Sequence, residues 1–137
     1  MQKPLSVQEA LIWVMVTTAV ADRTMTEREL TQFERLIGFL PVFEGFEGSI
    51  GDIADACSSH LKSVNGIDHI LDRVAMSLPE RLYATAYALA VEVAASDVEV
   101  KQEELVFLQM LEDRFSLDKL SVAAIEHSAR VRYRKRS

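Results

Sequence analysis

The chain is poor in whatever would staple it, carry it across a bilayer or build a sheet. It has one cysteine among 137 residues, which excludes an internal disulfide and favours a reducing, intracellular setting. Its longest uncharged stretch, Ala10 to Ala21, is 12 residues, whereas a bilayer crossing needs roughly 20. That run reads as a buried helix of a cytoplasmic protein. The start does not resemble a secretory signal, because Met1 to Ser6 carries a single Lys and the apolar run behind it is interrupted by Glu9 and fades at Asp22. No period-two run of useful length occurs, and Asn65-Gly66 is not flanked by alternating apolar residues, so strands are not expected. Catalytic signatures are equally missing. There is no Gly-x-Ser-x-Gly, P-loop or Gly-x-Gly-x-x-Gly, and the expectation is a non-enzymatic protein. A hydrolase built around a buried acid such as Glu92, which stands alone in an apolar run, is a remote alternative; an exposed helix face is the commoner explanation of such an acid.

What is present is helix after helix. A chain of this length fits one domain, residues 1 to 137, able to bury roughly 65 to 70% of its unfolded surface. Ser6-x-x-Glu9 is a capping box opening an apolar helix over about 6 to 21, and Thr26-x-x-Glu29 is a second one opening an amphipathic helix. Leu30, Phe33, Leu36, Ile37 and Leu40 form its stripe, and Pro41 ends it. Residues 42 to 52 hold three of the five glycines and read as a loop. Two weaker stripes follow, Ile50, Ile53, Cys57, Leu61, Val64 and then Ile67, Ile70, Leu71, Val74, Leu78, broken at Asn65-Gly66. A second all-round apolar helix is expected from Pro79 to about 96, then a stripe at Leu105, Leu108, Leu111 and Phe115, then a last helix from about Asp118 into a basic tail. The fold expected is all-α with about seven helices, the two apolar ones at its centre.

Two stretches echo each other at an offset of 75: residues 19 to 36 and 94 to 111 match at Ala19/Ala94, Asp22/Asp97, Glu29/Glu104, Leu30/Leu105 and Leu36/Leu111. Each is an apolar helix, a turn beginning at Asp and an amphipathic helix entered near Glu, so a helical hairpin is used twice, over about 6 to 40 and 79 to 116. Asp22 and Asp97 would lie at helix C-termini, where the dipole disfavours negative charge. Local hydrogen bonding can compensate: Asp in a turn bonds nearby backbone N–H groups, and Glu29 completes the box with Thr26. In the second copy Lys101 stands where the hydroxyl would be, leaving Glu104 at most one N–H to cap. A cation can also compensate, since a turn that brings Asp and Glu together begins an oxygen-donor site for calcium, magnesium or manganese. The spacing is not that of an EF-hand, whose sixth and twelfth positions would fall on Gln102 and Leu108.

The duplicated hairpin with "ASDVEVKQEEL" resembles the bacterial tellurite-resistance TerB-like family, whose pattern is small-Ala-Asp-Gly-x-apolar-x-x-x-Glu. The likeness runs over nearly the whole chain and is strongest from about Pro79 to Arg130. Arg23 and Val98 stand where that pattern has Gly after each Asp. The resemblance implies an all-α, internally duplicated module without enzymatic activity, linked to tellurite and general stress resistance. It also implies metal binding at Asp22, Glu29, Asp97 and Glu104, and a protein partner near the inner face of the membrane.

The remaining constellations are weaker. Cys57-x-x-His60 lacks a second pair of ligands for zinc, and Cys57 falls on an apolar stripe, so a buried thiol is expected. His69 reads as solvated and His127 as bordering the core, and neither belongs to a di-iron motif. The net charge of −6 divides into +5 in the last eight residues and −11 in the rest. The basic residues are Arg130, Arg132, Arg134, Lys135 and Arg136. They could dock an adaptor on anionic membrane, with nucleic acid disfavoured by the acidic body, or they could simply complement a helix dipole. The helices allow a monomer or a homodimer.

Overall fold

The computed structural model describes residues 4–20, 25–96 and 102–136. Among them the chain forms seven α-helices and no strand: α1 (Val7–Val20), α2 (Glu27–Phe39), α3 (Ile50–Leu61), α4 (Gly66–Ser77), α5 (Tyr83–Ala95), α6 (Gln102–Phe115) and α7 (Lys119–Arg132). Short 3-10 turns at Pro41–Phe43 and Glu80–Leu82 lead out of α2 and into α5. Pro79 precedes the second of these turns and does not open the helix itself.

Caps fix the early boundaries. Ser6 N–H donates to Glu9 Oε1 at 3.0 Å and Glu9 N–H to Ser6 Oγ at 3.1 Å, the reciprocal box expected from the spacing. Ser49 caps α3 by accepting from Asp52 N–H, and Asp118 caps α7 by accepting from Ser121 N–H. The capping bonds favour the ionised Asp118 and hold its carboxyl below the usual range. Between α3 and α4 the chain reverses through Asn65 in the left-handed region, φ 58°. Gly66 follows with its Cα pressed against the α3 terminus, where a Cβ would lie 2.4 Å from the His60 carbonyl oxygen.

α1 is the axis. Every residue from Ala10 to Val20 is buried, because α3, α4, α5 and α6 all pack on it; a helix apolar on all sides is stable in water only when so surrounded. α5 is the second central element, between α1, α6 and α7. The two hairpins of the sequence repeat are packed differently. α6 lies along α5 and also reaches α1 and α4, whereas the main neighbour of α2 is the 3-10 turn that follows it. α2 joins the core through Phe33 and Ile37.

Two sequence expectations need correction. On α6 the buried side chains are Glu104, Phe107, Leu111 and Phe115, while Leu105 is 49% exposed. Leu111 and Phe115 of the expected stripe are buried and Leu108 packs half-buried on the core, whereas Leu105 is turned outward; Phe107 joins the buried side, and a buried carboxylate heads it. Val64 lies beyond the end of α3 and is exposed, so that stripe ends at Leu61. No helix among the described residues is long and apolar enough to cross a membrane.

Candidate functional site

Asp22 and Asp97 lie outside the described residues, as do Arg23 and Val98. The helices that flank them are described, and two of them, α5 and α2, touch. Ser96, the cap of α5, donates its hydroxyl to Gln32 Oε1 at 2.9 Å, tying the C-terminal end of α5 to the first half of α2. The exit of one apolar helix is thereby placed beside the entrance of the other hairpin's amphipathic helix.

The two glutamates of the repeat differ. Glu29 Oε1 accepts from Thr26 N–H at 2.8 Å and from Thr26 Oγ1 at 3.0 Å, while Glu29 N–H donates to Thr26 Oγ1 at 3.2 Å. That is the capping function expected of it, typically about 1 kcal/mol of helix stability. Glu104 is 4% exposed in the first turn of α6. A helix start favours negative charge, and a buried carboxylate persists only with partners; both glutamates have them. Among the described residues no group of three or more His, Cys, Asp or Glu side chains is placed to hold a metal ion. A cation here would draw on Asp22 and Asp97.

Cys57 and His60 do not converge. The Cys57 thiol is fully buried beside Thr17 Oγ1 at 3.4 Å and the Trp13 carbonyl at 3.7 Å. His60 instead packs on the Trp13 ring, centroids 5.1 Å apart, with its Nε2 at 3.2 Å from Arg73 Nη1. The Arg73 guanidinium lies over the same indole, 4.8 Å from its centroid. Trp13, His60 and Arg73 thus form a cation–π stack joining α1, α3 and α4, which no local spacing in the sequence announces.

Burial pushes the Cys57 thiol up to about 12, partly offset by its hydrogen bond with Thr17. Burial, with Glu126 beside it, raises the Tyr87 phenol as well. Both groups keep their protons in the native state above the pH at which the unfolded chain releases them, so stability falls as pH rises. For Cys57 the loss runs from the thiol's ordinary 9.0 to about 12, at about 1.4 kcal/mol per pH unit. Urea midpoints measured over that window are expected to fall steeply for the native sequence and less steeply for Cys57→Ala.

Glu92 is neither an isolated buried acid nor an exposed one. Its carboxylate pairs with Arg132 Nη1 at 2.7 Å and accepts a hydrogen bond from the Tyr133 hydroxyl. Tyr87 likewise donates to Glu126 Oε2 at 2.5 Å, so two Tyr–Glu bonds clip α7 to α5. Arg132, though exposed itself, is thereby engaged within the fold; Arg130, Arg134, Lys135 and Arg136 are exposed as well. His69 is exposed as expected; His127 is exposed too and does not border the core.

Open clefts lie on the surface of the described residues, two of them near the α1 start and the α2 end. One, about 490 Å³, is lined by Ser6, Val7, Gln8, Val42, Arg81 and Leu82. The other, about 530 Å³, runs from Ile37 to Phe46. Neither lining sets a hydroxyl or thiol beside a His, and the Ser6 hydroxyl is engaged by the α1 cap. Comparison of the chain with protein-family models, curated proteins and solved structures finds no match.

Proposed function

We propose that the chain is a non-enzymatic, TerB-like binding module that holds a divalent cation, calcium, magnesium or manganese, through its two acidic turns. The Ser96–Gln32 hydrogen bond carries the proposal, because it sets the end of α5, which precedes Asp97, against α2, the helix that follows Asp22. Carboxylates gathered from two turns are the hard oxygen donors such ions take. A cation would also relieve the cost of placing Asp after the C-termini of α1 and α5. A basic side chain from a partner protein would answer the same charges. The cellular setting that accompanies the proposal is a bacterial tellurite or general stress response.

The test is thermal unfolding with each ion in turn. A cation bound only by the folded chain stabilises it by about 2.7 kcal/mol at a hundredfold excess over Kd. The midpoint should rise with one of the three ions in the native sequence and stay fixed in Asp22→Ala/Asp97→Ala, with circular dichroism confirming that the variant is helical. An equal rise in both proteins would sink the proposal.

A further inference from the structure

Two oppositely charged patches share one face. Ser96 on α5 bonds Gln32 on α2. One turn back along α5 is Glu92, which holds Arg132 and Tyr133. One turn on along α2 is Arg35, whose charge acts on the Tyr133 phenol. Phe39, a further turn along α2, is 81% exposed. Tyr133 at the end of α7 therefore lies near the second half of α2, whose exposed Phe39 is twelve residues, about 18 Å of helix, from Glu27 at its start.

The end of α2 lacks a cation. Its last turn contains no basic residue, Pro41 has no N–H to offer the Ile37 carbonyl, and the C-terminal dipole favours positive charge there. Exposed Glu44 and Glu47 add to this, and between Arg35 and Lys62 the chain has four acids and no Lys or Arg. The cleft in this segment has an apolar floor of Leu40, Pro41, Phe43 and Phe46. The end of α7 offers the opposite, with exposed Arg130, Arg134, Lys135 and Arg136 around Val131, which is 47% exposed. None of these tail residues lines the chain's own cleft.

We propose that this face is self-complementary: in a two-fold dimer, the basic end of α7 in each copy docks on the acid-rimmed apolar cleft at the end of α2 in the other. A face carrying both halves of a contact closes on itself under two-fold symmetry, forming the contact twice and leaving no open end. The charges set partner and register, and Phe39 and Val131 supply apolar area to exclude water.

Sedimentation velocity on the full chain tests this. Dimers are expected to form with concentration, and their dissociation constant to rise at least tenfold from about 50 to about 500 mM salt, as screened charge pairs lose strength. Phe39→Ser, at an exposed site, should weaken them further. Two charge-reversed chains, Glu44→Arg/Glu47→Arg and Arg134→Glu/Lys135→Glu/Arg136→Glu, should each be monomeric alone and pair when mixed, because each then meets its opposite in the other. A native chain that stays monomeric at several hundred micromolar in low salt overturns the proposal, whether its tail has folded onto its own cleft or the cleft takes a basic segment of another protein. Dimers that neither reversal weakens overturn it as well.

Discussion

Truncating Phe107 to Ala is expected to destabilise the protein by about 3–5 kcal/mol, whereas Leu105→Ala, two residues earlier, should cost within about 0.5 kcal/mol. Phe107 is fully buried, while Leu105 is 49% exposed. α6 also touches α1, α4 and α5 at once, so a void under Phe107 opens where three helices converge and cannot collapse by moving one of them. Leu105 has only the outer surface of the helix to lose. Urea unfolding of the two variants, with slopes compared to confirm two-state behaviour, reads the difference. Similar costs for both would mean that α6 is rotated from the register described.

The second large effect is expected at Gly66. A Cβ there would lie 2.4 Å from the His60 carbonyl oxygen and 2.7 Å from that of Leu61. Both are backbone atoms at the end of α3, so relief requires moving α3 against α4, and Asn65 is already committed to the left-handed turn. Gly66→Ala should cost about 3 kcal/mol, at the upper end of overpacking effects. Gly38→Ala is the control: nothing lies within 4 Å of a Cβ there, and a helical glycine replaced without a clash gains about 0.5–1 kcal/mol. Opposite shifts in the urea midpoint are expected, and a neutral Gly66→Ala would show that the helices approach less closely than described.

How far the fold is legible follows from how local its signals are. The starts of α1 and α2 are readable because Ser6 with Glu9 and Thr26 with Glu29 satisfy N–H groups three residues apart. The central place of α1 is readable because no other arrangement covers an apolar circumference. The later half of the α6 stripe, Leu111 and Phe115, is readable, and its start is not. Leu105, Val106, Phe107 and Leu108 are four apolar residues in succession, so the stripe can be drawn on either side, and tertiary packing chooses the side that buries Glu104. Nor is the Trp13, His60 and Arg73 stack, whose members lie far apart in sequence.

The candidate site divides in the same way. The capping part of Glu29 is local, and it is present in the structure. The contact between α5 and α2 depends on Ser96 and Gln32, 64 residues apart, which the repeat suggests but no spacing dictates. Arg132 shows the opposite case. As one basic residue in a basic tail it suggests an anionic partner, yet its partner is Glu92 in its own chain.

The cation proposed for the two acidic turns would need Asp22 and Asp97 together. Its binding is measured most directly by calorimetric titration of metal-free protein with calcium, magnesium and manganese, repeated on Asp22→Ala/Asp97→Ala. The account predicts a binding heat with one of these ions that disappears in the still-helical variant. Absence of heat with all three, or the same heat after both aspartates are removed, would contradict it.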